Sequence, residues 1–181
     1  LGATFIDANE ILVSDKLVSN PARLRFTAAH ELGHYRMHGS QQTHFRETES
    51  QGPGSPIQIE RQADRFAAAF LMPADAVLPE VLHALKYFDL DIERCSTMLT
   101  EDSAESSWLW RHRILPRLTH AFEASVAAML HRFTELRTPE GRPFMPSQVR
   151  SRLLTANPTE VALVVRDGVP RPTEATNSPE T

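Results

Sequence analysis

This chain of 181 residues has very little cysteine, no long apolar run and no excess of positive charge. Its single cysteine, Cys95, excludes an intrachain disulfide framework and a zinc site built from several cysteines, and it is compatible with a reducing compartment. The longest apolar run, FAAAFLM, has seven residues, whereas a membrane helix needs about 18. The net charge of −4 gives no strong attraction to nucleic acid or to an anionic membrane. No secretory signal is visible, so we expect a cytoplasmic protein without membrane contact.

Histidine and carboxylate residues are therefore the metal ligands that remain, and residues 25–38 concentrate them. This stretch, RFTAAHELGHYRMH, places His30, His34 and His38 at four-residue intervals, with Glu31 directly after the first. Residues four apart lie on nearly the same face of a helix, so the imidazoles of His30 and His34 can converge on one tetrahedral zinc ion. Glu31 points to a different side and suits a general base acting on water. The alternative is a polar helix that happens to be rich in histidine.

A catalytic zinc site needs a third protein ligand, and the segment IERQADRFAAAFLMP offers one. Glu60 can bind the metal, and Asp64, four residues later on the same face, can accept the outer N–H of a zinc-bound histidine. A solvated helix face is the alternative for either carboxylate taken alone. In combination with the His-Glu-x-x-His pattern, the spacing favours a metal site with His30, His34 and Glu60 as ligands.

The sequence alone does not identify the group that would stabilise an oxyanion during peptide hydrolysis. Tyr35 and His38 follow the metal motif directly, and other candidates by residue type are His44, Tyr87 and His112. His38 lies two helical turns from His30 and drifts out of line with it, so a structural or rim position is favoured for His38.

Secondary-structure signals predict an α+β protein. The segment TFIDANEILVSD contains two short β-prone runs and predicts a hairpin. Asn20-Pro21 predicts the start of the first helix, and Gly39 predicts its end. Residues 40–56 are expected to form a loop, followed by a second helix from Ile57 to Met72. More helix is expected between residues 74 and 137, with a break near residues 123–125.

The composition changes after Thr138-Pro139, which predicts three regions along the chain. We expect a core at residues 1–80, a helical region at 81–137 and a C-terminal region at 138–181. The last region is expected to hold a turn-rich linker, a short strand at 161–165 and a disordered tail from residue 169 onward.

The segments RFTAAHELGH and ERQADRFAAAFLMP resemble the ImmA/IrrE family of zinc metallopeptidases, which belongs to the gluzincin group. LTHAFEASVAAMLHRFTEL also resembles the family's next, helix-turn-helix-like segment, and the likeness covers roughly residues 1–137. The resemblance implies a zincin-like core in residues 1–80, with an N-terminal hairpin or sheet packed on it, and a helix-turn-helix-like subdomain in residues 81–137. It also implies zinc held by His30, His34 and Glu60, with Glu31 as the base.

The same resemblance implies a regulatory endopeptidase rather than a digestive one. Family members act in bacterial and mobile-element regulation, where cleavage of an XRE-type helix-turn-helix repressor relieves transcription, often after stress. We therefore expect a protein substrate of this kind as the partner.

Two alternatives from other classes remain open. A DNA-binding or scaffold protein could use a basic helical region, with arginines at positions 111, 113, 117, 132 and 137. Glu123 and Glu135 dilute that charge and the whole chain is acidic, so we do not expect direct DNA binding. An antitoxin-like or sensor protein could bind metal without cleaving anything, although the intact Glu31 argues against this.

Overall fold

The computed structural model of the protein describes residues 1–39, 44–46, 56–155 and 163–172. Helices and two small antiparallel sheets make up this part of the chain, so the expected α+β class is confirmed. The chain forms two compact units, of which the first comprises Leu1–Val77 with Leu118–Arg132 and the second Leu78–Arg117 with Phe133–Thr181. The region boundaries at residues 80 and 137 stay predictions.

The N-terminal hairpin is confirmed. Strand β1 (Gly2–Phe5) pairs antiparallel with β2 (Glu10–Val13), and Asn9 in the turn takes the left-handed backbone conformation that asparagine tolerates. A third strand, β3 (His44–Arg46), pairs with the other edge of β1. The expectation of a loop over residues 40–56 is therefore wrong at 44–46. A strand of three residues is too short to show a periodic pattern in the sequence, and β3 forms only because it pairs with β1. The rest of that stretch, before Pro56, lies outside the described residues.

Two helices lie in the first unit together with this sheet. Helix α1 (Pro21–Met37) begins as expected, because the Asn20 side chain accepts a hydrogen bond from the backbone N–H of Arg23 at 3.1 Å. Helix α2 (Pro56–Leu71) matches the second expected helix. A Cβ atom on Gly33 of α1 would lie 3.2 Å from the backbone of Ala63 on α2. The small residue at this position therefore allows α1 and α2 to pack closely.

The next helices are α3 (Ala74–Tyr87), α4 (Ile92–Leu99), α5 (Ala104–Leu109), α6 (Leu115–Ala121) and α7 (Val126–Phe133). A π-helical turn, Trp110–Ile114, joins α5 to α6. The chain breaks between α6 and α7 as expected, with Glu123 in the left-handed region. In the core of the second unit, the fully buried Trp110 packs edge-to-face on Phe133 with 4.5 Å between ring centroids. Cys95 is a buried free thiol.

The C-terminal region contains more regular structure than the sequence predicts. Helix α8 (Ser147–Leu154) follows the segment PEGRPFMP, expected to be a turn-rich linker, in a stretch where no helix was expected. Only two buried apolar residues four apart, Val149 and Leu153, mark its inner face. Strands β4 (Leu163–Arg166) and β5 (Val169–Pro172) form a hairpin. Asp167 and Gly168 both have positive φ, the conformation of a tight two-residue hairpin turn.

The strand expected at 161–165 is thus confirmed from residue 163, and residues 161–162 lie outside the described part. The expectation of disorder from residue 169 onward is wrong for Val169–Pro172, because the Asp-Gly turn brings this segment back to pair with β4. The remainder of that tail also lies outside the described residues. Within the described ranges, no helix by itself combines the length and the hydropathy of a membrane span, and α2 and α3 reach them only as a pair bent by 60°.

Candidate metal and catalytic site

Helix α1 brings His30 and His34 together on the face that packs against α2. Because four residues make slightly more than one turn, the two imidazoles lie one above the other, and their Nε2 atoms are 3.0 Å apart. The His34 side chain is almost completely buried, with 2% of it exposed, and that of His30 is mostly buried. Burial removes competing water from both rings, so their nitrogen atoms must find partners within the protein.

Helix α2 supplies the third member of this cluster. Glu60 Oε2 lies 3.1 Å from His30 Nε2, and Glu60 Oε1 lies 3.3 Å from His34 Nε2. One ligand atom from each of these three residues lies within 4.8 Å of the other two, a spacing that could hold a metal ion. Tetrahedral zinc with bonds of about 2.0–2.1 Å to nitrogen keeps its ligand atoms about 3.3 Å apart. The two nitrogens and one oxygen therefore fit a zinc ion.

The electrostatics of the metal-free cluster are those of an ion pair. Burial lowers the pKa of His30, but hydrogen bonds and negative charge from Asp64 and Glu60 outweigh burial and raise this pKa to about 9. Burial raises the pKa of Glu60, but hydrogen bonds to His30 and His34 and their charges lower it to about 2. At neutral pH the cluster thus holds a proton where a cation would bind, and metal must displace that proton.

Asp64, one helical turn after Glu60, contacts the other side of the His30 ring. Its Oδ1 lies 2.9 Å from His30 Nδ1. An ionised carboxylate can only accept a hydrogen bond, so His30 carries a proton on Nδ1 and its Nε2 lone pair can face the cluster once the ring is neutral.

Glu31 lies next to the cluster but outside the ligand group. Its side chain is buried, and Thr4 on β1 donates from Oγ1 to Glu31 Oε2 at 2.6 Å. A Cβ atom on Gly2 would lie only 2.2 Å from Glu31 Oε1, so strand β1 passes directly against this carboxylate. A cavity of about 170 Å³ is lined by both His30 and Glu31, with Gly2 among its other walls. It has room for several water molecules beside the carboxylate.

The two nearest candidates for an oxyanion donor have partners elsewhere. The Tyr35 hydroxyl donates to Asn9 Oδ1 in the hairpin turn at 2.7 Å. His38 is buried behind His34, with 3.2 Å between their Nδ1 atoms, and its Nε2 lies 2.9 Å from Gln62 Oε1. Neither Tyr35 nor His38 lines the 170 Å³ cavity. The side chain of His44 lies outside the described residues, and Tyr87 and His112 stay candidates by residue type.

Three residues at the site have no signal in the sequence. Thr4 and Gln62 contact Glu31 and His38 across 27 and 24 residues of chain, and no local motif marks them. Arg23, about two turns before His30 on α1, lines the cavity with His30 and Glu31. Among the described residues that line that cavity, it is the only arginine or lysine.

Comparison with protein families identifies the family of this chain. The family model of peptidase family M78, described as the IrrE N-terminal-like domain, matches residues 3–134. The chain belongs to the M78 peptidase family. Comparisons with curated proteins and with solved structures find no match. The matched M78 domain includes the whole cluster and Glu31, and membership implies peptide hydrolysis, with a metal group compatible with zinc. The roles of individual residues in the M78 domain stay predictions.

Proposed function

We propose that the protein is a zinc-dependent endopeptidase. The observation that carries this proposal is the triangle of His30, His34 and Glu60 ligand atoms, with the buried carboxylate of Glu31 beside it. Two histidines and one glutamate are the ligand set of catalytic zinc sites that keep a fourth position open. Within this proposal, the three-stranded sheet and helices α1 and α2 form a zincin-like core, and α6 and α7 form a helix-turn-helix-like segment.

A bound zinc ion would supply Lewis acidity, which polarises the carbonyl of the scissile peptide bond. His30, His34 and Glu60 would hold it. Glu31 then takes a proton from the attacking water at Oε1, because Oε2 already accepts the hydroxyl proton of Thr4. It returns this proton to the leaving amine, and such general acid–base catalysis contributes about 10²–10⁴-fold in rate. Asp64 keeps the His30 ring in the orientation that ligation needs.

The proposed substrate is an XRE-type helix-turn-helix repressor in the cytoplasm, whose cleavage relieves transcription during stress or mobile-element regulation. Resemblance to the ImmA/IrrE family supports this substrate, and membership of family M78 supports peptidase activity. Arginines of the basic helical region have partners inside the protein, which supports proteolysis over DNA binding. Arg113 lies over the rings of Phe88 and Trp108, and Arg132 donates from Nε to the carbonyl of Met72.

The proposal is tested by incubating the zinc-loaded protein with the helix-turn-helix repressor encoded beside it. Glu31→Gln is the matched control, because the amide keeps the shape of the side chain but cannot take the proton. A discrete new fragment on a gel with the wild type alone supports a site-specific peptidase. Binding of the repressor without cleavage would instead favour the metal-binding interaction protein.

A further inference from the structure

The back of the proposed metal site contains a chain of polar groups that the mechanism does not use. His34 Nδ1, on the far side of the ring from Glu60, lies 3.2 Å from His38 Nδ1. His38 Nε2 in turn lies 2.9 Å from Gln62 Oε1. The His38 side chain is 1% exposed, so it is as buried as His34 itself. Two lone pairs facing each other at 3.2 Å or 2.9 Å would repel, so each of these contacts contains a proton.

Only one arrangement of protons satisfies both contacts when both rings are neutral. If His34 offers the Nε2 lone pair to a metal, its proton is on Nδ1. That N–H can donate only if His38 Nδ1 is unprotonated, which puts the proton of His38 on Nε2. There it meets the amide oxygen of Gln62, an acceptor. His34 therefore donates a hydrogen bond to His38, and His38 donates one to Gln62.

We infer that His38 and Gln62 are positioning residues for the metal ligand His34. They form a relay that fixes the tautomer and the ring orientation of His34, as Asp64 does for His30. This inference rests on the proposed zinc site and deepens it, since it assigns a role to a histidine that touches neither the metal position nor the cavity. The two proposed ligand histidines are then oriented by different groups. The carboxylate of Asp64 orients His30, and the neutral imidazole of His38 with the amide of Gln62 orients His34.

Zinc affinity, measured by competition with a chelator of known affinity, separates positioning from simple packing. His38→Leu fills the buried space with an apolar side chain but removes the nitrogen that accepts from His34. We expect this variant to bind zinc about 10–100-fold more weakly. His38→Asn keeps an acceptor oxygen near the position of Nδ1 and should recover most of the affinity. Rescue by asparagine but not by leucine is a result that a merely structural role would not produce.

Gln62 provides a variant that does not disturb the core, because its side chain lies on the exposed side of α2. Gln62→Leu should weaken zinc binding by about tenfold, the lower end of the loss that follows removal of an outer partner. The matched control is Gln58→Leu, the same substitution at an exposed position one turn earlier on the same helix. The control should bind zinc like the wild type. Should His38→Leu fail to fold, the comparison of these two glutamine variants decides.

Nuclear magnetic resonance of ¹⁵N-labelled histidines reports the tautomers directly in the zinc-loaded wild type. We expect His34 protonated on Nδ1 and His38 neutral and protonated on Nε2. A proton on His38 Nδ1 would overturn the relay, and so would unchanged zinc affinity in both leucine variants at positions 38 and 62. Failure of the wild type to bind zinc would overturn the proposed function and the relay together. A wild type that binds zinc but cleaves no repressor would count against the peptidase alone, because the affinity and tautomer measurements still decide the relay.

Discussion

Zinc affinity should depend on pH well above the ordinary pKa of histidine. In the metal-free protein, Asp64 and Glu60 raise the pKa of His30 to about 9, and only neutral His30 can bind a metal. The pKa of Glu60 is lowered to about 2, so this ligand is ionised at every pH of interest. From the motif alone, affinity would begin to fall below about pH 6.5, the pKa of an ordinary histidine. The surrounding carboxylates move this onset to about pH 9.

The size of the effect follows from the distance between the working pH and the pKa of His30. Each pH unit below about 9 costs about 1.4 kcal/mol, which is tenfold in zinc affinity. At pH 7, two units below, zinc should therefore bind about 100-fold more weakly than at high pH, a difference of about 3 kcal/mol. Binding at pH 7 should also release about one proton from His30.

Chelator competition between pH 6 and pH 10, with the chelator corrected for its own titration, measures the slope. Calorimetry in two buffers of different ionisation enthalpy counts the protons released. Asp64→Asn is the informative variant, because loss of the negative charge lowers the pKa of His30 and moves the onset to lower pH. An affinity that stays constant from pH 7 to pH 9, with no proton released on binding, would refute this account of the cluster.

The same raised pKa predicts how the metal-free protein responds to pH. The pKa of His30 is about 9 in the folded state and about 6.5 in the unfolded chain, so folding favours the protonated form. Its contribution to stability is fully present below pH 6.5 and is lost as the pH rises through 9. The melting temperature of the metal-free protein should therefore fall over this interval, and the fall should be smaller in Asp64→Asn.

Further substitutions test single contacts. Glu31→Gln should keep zinc stoichiometry but lose peptide hydrolysis by at least about 10²-fold, and a fully active variant would mean that another group is the base. Thr4→Val removes the hydroxyl that donates to Glu31 while keeping the shape of the side chain, so activity should fall and Thr4→Ser should restore it; equal activity of all three proteins would exclude an orienting role for Thr4. Gly33→Leu places a large side chain where α1 and α2 touch and should lower thermal stability and zinc affinity together, which thermal melts and chelator competition would detect. Trp110→Ala should destabilise the second unit by about 3–5 kcal/mol in denaturant unfolding, because this ring is completely buried against Phe133.

Elements with a local signal were predictable, and elements formed by distant pairing were not. The hairpin β1–β2 and helices α1 and α2 have β-prone runs, a capping Asn-Pro pair or helical periodicity within one segment of chain. Strand β3 has only three residues and exists because β1 offers a free edge to it. Helix α8 has only two inward apolar residues. Strand β4 was expected from its apolar run, whereas β5 contains two prolines and forms because the Asp-Gly turn brings it against β4. Local propensity at these places is weak, so tertiary contacts decide the structure.

The sequence by itself determined which residues could bind a metal. Helical geometry converts the spacing of His30 and His34 into a common face, and Glu60 and Asp64 share a face of the next helix for the same reason. Only the tertiary structure decided how these faces meet, because the distances between α1 and α2 depend on close packing at Gly33. It also decided the surroundings of the site, which come from residues remote in the chain: Thr4 against Glu31, and Gln62 behind His38. The set of candidate ligands is thus a property of local spacing, whereas the protonation and orientation of their side chains depend on contacts that form only when the chain is folded.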